Sequence, residues 1–290
     1  MTQQSQPYSH KRQFTTTPIV LTSAGSNSSG GAGIQADIKA MSATGSFACS
    51  VITAITLQNT QGISAIFSIP IVHVENQLDT VFTYLNIAAV KIGTLADSNI
   101  TQIVANKIKQ YQPKYLVIAP VMVATSDDLL LEHSAISTLK KENIPIADII
   151  PPNFTEGAAF TGAPVPESEA DMNEIINDLR PLGAKAILLK GGPLEKNKNS
   201  NDLLITPNSA KLISAKRFTT KNTHCTECTL SSAIASYLGQ GNNLNKAVYL
   251  ANQYTSHAIA HADELEVGKG HGPVHHFFAG PNFRESNDGR

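Results

Sequence analysis

Short apolar runs alternate regularly with amphipathic stretches along this chain, and this alternation restricts its fold more than any other feature. Apolar and β-branched runs predict buried strands over 18–24, 48–57, 88–92, 115–118, 147–150 and 186–189. Apolar residues at helical spacing predict helices over 32–43, 74–85, 100–108, 172–179 and 244–260. Such a β-α-β-α order is typical of a mostly parallel central sheet with helices on both faces. The sequence therefore predicts an α/β fold whose ligands bind in the loops after the strands.

The composition is that of an ordinary globular protein and argues against several classes of partner. Of the 290 residues, 41% are hydrophobic and 16% are charged, with a net charge of −1. We therefore expect no nucleic-acid partner. No apolar run reaches the roughly 18 residues of a membrane-spanning helix, so we expect no membrane partner either. The three cysteines are too few for a disulfide framework, and their odd number suits a reducing compartment, so the predicted location is cytoplasmic.

Nothing in the sequence divides the chain into two folded units. Residues 1–17 are rich in Gln, Ser and Thr and lack the apolar core of a secretory signal, so we expect a disordered N-terminal tail. The pattern of strands and helices begins at residue 18, and no repeat or linker interrupts it. We predict a single domain over 18–279 and a flexible C-terminal tail over 280–290.

A glycine-rich stretch over 25–33 follows the first predicted strand and leads directly into a helix. Glycine lets backbone amides approach a ligand, and the amino end of a helix favours negative charge. A dinucleotide fingerprint is formally present at Gly31, Gly33 and Ala36, but no acidic residue follows about 20 positions later. The loop also lacks the Gly-Lys-Ser/Thr of a Walker A motif. Two interpretations stay open, an anion-binding loop and a tight turn that packs closely on the helix.

Seven segments together resemble one enzyme family over nearly the whole chain after residue 17. They are AGSNSSGGAGIQADIKAMSATGSFACSVITAITLQNTQGI (24–63), KIGTL (91–95), APVMVA (119–124), NFTE (153–156), LLKGG (188–192), KNTHCTECTLSSAIA (221–235) and LEVGKGHGPVHHF (265–277). In this order they resemble the hydroxymethylpyrimidine/phosphomethylpyrimidine kinases of thiamine biosynthesis. The resemblance implies a ribokinase-like three-layer sandwich and a homodimer. It also implies phosphorylation of 4-amino-5-hydroxymethyl-2-methylpyrimidine, and then of its monophosphate, with Mg²⁺ and ATP.

The resemblance assigns pyrimidine binding to positions near the ends of the first two strands. It implies that Gly25, Asp37 and Gln58 hold the pyrimidine, with Ala32 in the glycine-rich loop and Thr94 at a wall where the family has methionine. An amide and a carboxylate together can read the ring nitrogens and the amino group of an aminopyrimidine. Two alternatives stay open: the carboxylate near the start of the first helix interacts with the helix dipole, and the amide at the strand end caps a loop.

The resemblance places the phosphates and the metal at a second group of residues. Asn153 and Glu156 match the superfamily motif that arranges Mg²⁺ and phosphate, and their oxygens suit a magnesium site that keeps several waters. Lys190, at the end of a predicted strand, is expected to neutralise phosphate, and Thr223 is expected to contact the nucleotide. The alternative for Asn153 is a helix cap with an acidic residue in the first turn.

The phosphoryl-transfer loop over 222–228 departs from the family pattern. The family has Asn-Thr-His-Gly-Thr-Gly-Cys, whereas Cys225 and Glu227 replace both glycines here. The resemblance places Cys228 beside the reacting hydroxyl and uses the backbone amides around Thr226 to stabilise the transferring phosphoryl group. A carboxylate in this loop opposes the reaction, because two like charges about 4 Å apart repel by about 4 kcal/mol at an effective dielectric of 20.

These departures leave three hypotheses open. The first is a working kinase, and the second is a degenerate homologue that binds the pyrimidine or its phosphate without efficient turnover. The third is a metal or redox role for His224, Cys225 and Cys228, in which the Cys-x-x-Cys pair resembles a dithiol motif. Three C-terminal histidines, at 271, 275 and 276, raise a weaker metal hypothesis. Further departures from the family pattern are Asn27, Ser28, Ala119, Thr125, Asp127 and Pro151.

Overall fold

A computed structural model describes residues 16–95, 97–122, 133–166, 168, 171, 174–191 and 199–279. The predicted tails, apart from residues 16 and 17, lie outside this part of the chain, and so do the family departures at 125 and 127. Among the described residues, no helix is long and apolar enough to cross a membrane. The assignment of 18–279 to one domain stays a prediction.

Two groups of strands make up the sheet structure. The strands are β1 (Ile19–Asn27), β2 (Phe47–Asn59), β3 (Gly62–Ser68), β4 (Ile87–Ile92), β5 (Leu116–Ile118), β6 (Ile187–Leu189), β7 (Asn199–Thr206) and β8 (Ser209–Lys216). The first group has the order β3-β2-β1-β4-β5, and every pair is parallel except β2 with β3. The second group, β6-β7-β8, is antiparallel. Five strands in a mostly parallel sheet confirm the predicted fold class.

The run predicted as a strand over 147–150 joins the two groups. Ile149 pairs with Val117 of β5, and Ile150 pairs with Ile187 of β6, both in parallel. This segment pairs through isolated bridges and not as a full strand. The antiparallel strands β3, β7 and β8 have no counterpart among the predicted strands. Most residues of β3 and β8 are exposed, so these edge strands lack the continuous apolar run that revealed the buried ones.

The helices lie on both faces of the sheet. They are α1 (Gly33–Ala43), α2 (Ile71–Tyr84), α3 (Ser98–Tyr111), α4 (His133–Thr138), α5 (Phe154–Thr161), α6 (Ile176–Leu179), α7 (Thr226–Gly239) and α8 (Leu244–Ala260). Alternate strand residues point to two separate apolar cores: Leu21 belongs to the core under α2 and α3, and its neighbour Val20 to the core under α7 and α8. This alternation produces the predicted three layers.

Most predicted helices are confirmed, and one is described only in part. Asp97 caps α3, because its carboxylate accepts hydrogen bonds from the N–H groups of Asn99 and Ile100. The helix predicted over 172–179 is only partly described, and Met172 lies outside the described residues. Its last described turn is α6, which continues into a 3₁₀ turn over Arg180–Leu182. Pro181 lies inside this turn, as its fixed φ permits.

Candidate active site

Segments that are distant in sequence meet beyond the carboxyl ends of β1 and β2. The loop before α7 contacts the C-terminal segment 268–273, where the His224 N–H donates to the Gly272 carbonyl oxygen over 3.0 Å. The Gly272 N–H donates in turn to Asn222 Oδ1 over 2.9 Å. The same segment reaches the turn after β2, where one of its backbone N–H groups donates to the Thr60 carbonyl oxygen. The site thus lies where ligands bind in open α/β sheets.

The glycine-rich loop needs its glycines for close packing. The pairing of β1 with β2 shifts at Gly25, and a side chain at Gly33, whose φ is +55°, would overlap the Gly25 carbonyl oxygen. A Cβ at Gly31 would lie 3.3 Å from the His224 ring. Ala32 is buried in extended backbone and precedes α1. The close-packing interpretation of this loop is therefore confirmed, and anion binding by it stays a prediction.

Asp37 has an internal role that differs from the open pyrimidine contact expected of it. It lies in the second turn of α1 and is fully buried. Its oxygens accept hydrogen bonds from Lys91 Nζ over 2.8 and 2.9 Å, from Thr22 Oγ1 over 2.6 Å and from Ser232 Oγ over 2.8 Å. Both carboxylate oxygens are thus occupied by protein donors. The carboxylate links α1 to β1, β4 and α7, and a direct pyrimidine contact would have to displace one of these bonds.

The other predicted pyrimidine residues lie at the same edge of the sheet. Gln58 belongs to β2 itself, not to a loop after it, and its largely buried amide oxygen lies 3.4 Å from Thr56 Oγ1. Thr94 follows β4, is half-buried, and accepts a hydrogen bond from Thr53 Oγ1 on its carbonyl oxygen. The structure thus gives both residues local partners, and their contact with a pyrimidine stays a prediction.

Asn153 and Glu156 form a capping box at the start of α5. Asn153 Oδ1 accepts from the Glu156 N–H over 2.8 Å, and Glu156 Oε2 accepts from the Asn153 N–H over 2.9 Å. Glu156 Oε1 accepts a longer bond of 3.3 Å from the Met122 N–H. Burial and, to a smaller extent, the nearby Glu227 carboxylate raise the pKa of Glu156 to about 8, although Lys190 opposes the shift. The capping alternative is therefore confirmed.

The amino end of α7 brings the phosphoryl-transfer loop to the charged pair of the site. Cys225 is the N-cap residue with φ +57°, and its own side chain makes no capping hydrogen bond. A positive φ of this kind is free of strain for glycine and costs roughly 1 kcal/mol for cysteine. Lys190 Nζ lies 2.6 Å from Glu227 Oε2, and their side chains are 14% and 13% exposed. Glu227 Oε1 is buried and has no hydrogen-bond partner among the described residues.

The remaining residues of this loop make local contacts. The Thr226 hydroxyl donates to the Thr223 carbonyl oxygen over 2.8 Å, and the Thr223 side chain is exposed. Cys228 is buried in the first turn of α7 and is joined to Cys225 by a disulfide. The predicted catalytic and nucleotide-binding residues are therefore close together, and their roles in a reaction stay predictions.

Comparison with known proteins identifies the family. The sequence model of the phosphomethylpyrimidine kinase family matches residues 27–275. The chain belongs to this family. It is 44% identical over 259 residues to the hydroxymethylpyrimidine/phosphomethylpyrimidine kinase of Escherichia coli, covering 89% of this chain and 97% of that one.

Solved structures agree with this assignment. The crystal structure of phosphomethylpyrimidine kinase from Clostridium difficile is 40% identical, with a TM-score of 0.74, and covers 83% of this chain and 99% of that one. Pyridoxal kinase from Bacillus subtilis in its ADP complex is 29% identical, with a TM-score of 0.83, and covers 90% and 98%. These neighbours confirm the ribokinase-like fold. The protein is an ATP-dependent phosphotransferase of the phosphomethylpyrimidine kinase family.

The metal hypotheses that compete with a kinase gain no support from the described residues. Among them, no group of three or more His, Cys, Asp and Glu side chains is arranged to hold a metal ion. His276 Nε2 lies 3.0 Å from Thr229 Oγ1, and burial lowers its pKa to about 4. His271 Nδ1 lies 3.0 Å from the Lys221 carbonyl oxygen. These histidines are thus hydrogen-bonded within the kinase fold.

Sequence reasoning missed Lys91 and Ser232, which complete the buried cluster around Asp37. Lys91 is fully buried inside the apolar run of β4. A lysine is almost never fully buried unless a partner neutralises it, so its position within a strand was a usable signal. The serine lies 195 residues from its partner along the chain, and no local pattern marks it.

Proposed function

We propose that this protein phosphorylates 4-amino-5-hydroxymethyl-2-methylpyrimidine, and then its monophosphate, with Mg²⁺ and ATP. The observation that carries the proposal is the uncapped amino end of α7 beside Lys190, at the carboxyl ends of the strands. Free backbone N–H groups at the start of a helix attract phosphate, and a lysine adds a full positive charge. Family membership supplies the substrate class, because the E. coli relative is named for these two phosphorylations.

Each part of the proposed site has one task. Gln58 and the backbone at Gly25 orient the pyrimidine, and Asp37 holds α1 and α7 in register through its internal bonds. Reduced Cys228 lies beside the substrate hydroxyl and, as the thiolate that the amino end of α7 stabilises, accepts the hydroxyl proton. Backbone N–H groups of residues 225–228 stabilise the transferring phosphoryl group. Phosphoryl transfer depends mainly on such positioning and charge stabilisation, so these groups are sufficient for the reaction class.

The residues beside α5 fit the magnesium ion that such a reaction needs. Within the part of the chain that the structure describes, Glu156 Oε1 accepts one long hydrogen bond, so it retains lone pairs for a cation or for a water bound to one. A buried carboxylate with a raised pKa also gains from a neighbouring cation. Asn153 Oδ1 is already used by the cap, so Asn153 orients the carboxylate and Glu156 would hold the ion. A magnesium ion held there would neutralise charge on the ATP phosphates.

The degenerate alternative is not supported by these comparisons. The relative from E. coli is named as a kinase. The Glu227 carboxylate, which motivated that alternative, pairs with Lys190 and thereby loses part of its repulsion toward phosphate. A working kinase therefore remains the function that the site supports best.

We also propose that the protein forms a homodimer through the exposed apolar face of β2 and β3. Ile55 and Leu57 point to the same side of β2, and Ile55 pairs with Phe67 of β3. These three side chains are exposed, and a contiguous apolar patch of this kind marks an interaction site. Leu57→Glu should yield a monomer in light scattering. Leu212→Glu, on the exposed strand β8, is the matched control and should leave the mass unchanged.

The substrate assignment is tested by specificity. Initial rates with saturating Mg-ATP should give a higher kcat/KM for the hydroxymethylpyrimidine than for pyridoxal, by at least about tenfold. Pyridoxal is the relevant competitor, because a solved neighbour is a pyridoxal kinase. Equal or reversed preference would overturn the assignment and leave the phosphotransferase class intact. The cytoplasmic location stays a prediction.

A further inference from the structure

Cys225 and Cys228 lie one helical turn apart at the start of α7, where a disulfide joins them. Their Cα atoms are 5.2 Å apart, which is within the range of about 4.4 to 6.8 Å that disulfides span. The cysteine at 225 replaces a family glycine, so this pair is a property of this chain and not of the family pattern. The bond therefore forms between residues that the helix already holds at the required separation.

The surroundings of the two sulfur atoms favour thiol chemistry. Partial positive charge at the amino end of a helix stabilises a thiolate, which is the form that attacks a disulfide. Cys225 is half-buried, whereas Cys228 is 7% exposed. A small disulfide oxidant therefore meets Cys225 first, and Cys228 is placed to complete the exchange one turn further along the helix.

The disulfide occupies the part of the site that the proposed reaction needs. Cys228 would hold its reduced thiol beside the substrate hydroxyl, and the first amides of α7 would bind the transferring phosphoryl group. In the oxidised form Cys228 has no thiol, and the two sulfur atoms bridge the first turn of the same helix. Oxidation thus removes a group that contacts substrate.

We propose that Cys225 and Cys228 form a reversible thiol–disulfide pair that switches off phosphoryl transfer when oxidised. The inference rests on the proposed kinase function. The Cys225 thiolate attacks a small-molecule disulfide, forms a mixed disulfide and releases one thiol. Cys228 then attacks Sγ of Cys225, forms the internal bond and releases the second thiol. The protein loses two electrons and two protons, and the oxidant becomes two thiols. A dithiol reductant reverses the process.

Cys49 provides a matched control within the same chain. It lies on β2, away from α7, and its thiol donates to the Val20 carbonyl oxygen over 3.7 Å. Burial raises the pKa of Cys49 to about 11, so its thiolate is scarce at neutral pH. Its replacement by serine therefore tests whether any observed oxidation belongs to the pair at α7.

The test oxidises reduced full-length protein with glutathione disulfide and compares intact mass with kinase rate. The wild type and Cys49→Ser should form the internal disulfide, lose activity by at least about tenfold, and recover it with dithiothreitol. Cys228→Ser should instead stop at a glutathione adduct on Cys225, because the thiol that completes the exchange is missing. Tryptic mapping locates the modified sulfur in each protein.

Two results would overturn the proposal. One is a wild type that forms no internal disulfide, and the other is an internal disulfide that leaves the kinase rate within about twofold of the reduced form. If the reduced wild type transfers no phosphate, the proposed function fails separately. Calorimetry with the hydroxymethylpyrimidine then tests the switch separately, since the oxidised form should bind this substrate at least about tenfold more weakly.

Discussion

Replacement of Glu227 by glutamine isolates the charge that this chain adds to its phosphoryl-transfer loop. The substitution keeps the size and helical position of the side chain and removes the partner of Lys190, whose Nζ lies 2.6 Å from the carboxylate. It also removes a negative charge that raises the pKa of Glu156. We therefore expect the variant to have a higher kcat/KM for ATP than the wild type.

The magnitude follows from the geometry of the pair. A phosphate oxygen in contact with Lys190 would lie about 4 to 7 Å from the Glu227 carboxylate, so the repulsion per unit charge is about 2 to 4 kcal/mol at an effective dielectric of about 20. The two side chains are 14% and 13% exposed, so water screens this only in part. If half of the lower value, about 1 kcal/mol, survives, kcat/KM for ATP rises by about fivefold.

The assay varies ATP at saturating hydroxymethylpyrimidine for the wild type and Glu227→Gln. Glu142→Gln is the matched control, because it breaks a carboxylate–lysine pair with Lys109 at 2.7 Å that involves no predicted site residue. The control should match the wild type. Carbon NMR of the Glu156 carboxyl group should give a lower pKa in Glu227→Gln than in the wild type, where it is about 8. A drop in kcat/KM would refute the reasoning and show that the carboxylate itself serves the reaction.

Three further predictions concern stability. Asp37→Asn should lower the free energy of unfolding in urea by about 3–5 kcal/mol, because Lys91 stays buried without its counter-ion. A smaller loss would contradict a stabilising role for this ion pair. Between about pH 4.5 and 8, Glu156 binds more protons in the folded state than in the unfolded state, so the free energy of unfolding should fall as the pH rises through that range. Glu156→Gln should make the free energy of unfolding less dependent on pH there. Gly33→Ala should destabilise more than Gly162→Ala, since both have positive φ but only the former meets another atom; equal thermal shifts would contradict this.

The regular part of the fold was predictable from the sequence because the apolar residues of each buried helix or strand follow a single spacing. The last helix has the predicted limits, Leu244–Ala260, and α2 and α3 follow their apolar spacing. The edge strands were missed because exposure on both faces removes the apolar signal. β2 also continues past its predicted end at Leu57, which places Gln58 in the strand, because polar residues extend a strand when they pair with a neighbour.

Features of the site were predictable only where the interacting residues lie close together in the sequence. The capping box of Asn153 and Glu156 and the glycine at position 33 follow from residues a few positions apart. The partners of Asp37 and of Glu227 come from other strands and helices, so no spacing rule connects them. A charged residue seen only in the sequence suggests a contact with a ligand. In the folded protein, a side chain from another strand or helix neutralises that charge.

The most direct test of the account is product formation by the purified, reduced protein. It is incubated with Mg-ATP and 4-amino-5-hydroxymethyl-2-methylpyrimidine, and the monophosphate and diphosphate are followed by mass spectrometry beside a Cys225→Gly/Glu227→Gly variant. The account predicts that the natural sequence forms both products. No product from the natural sequence, with calorimetric pyrimidine binding intact and activity restored in the variant, would contradict it and identify a protein that binds without turnover.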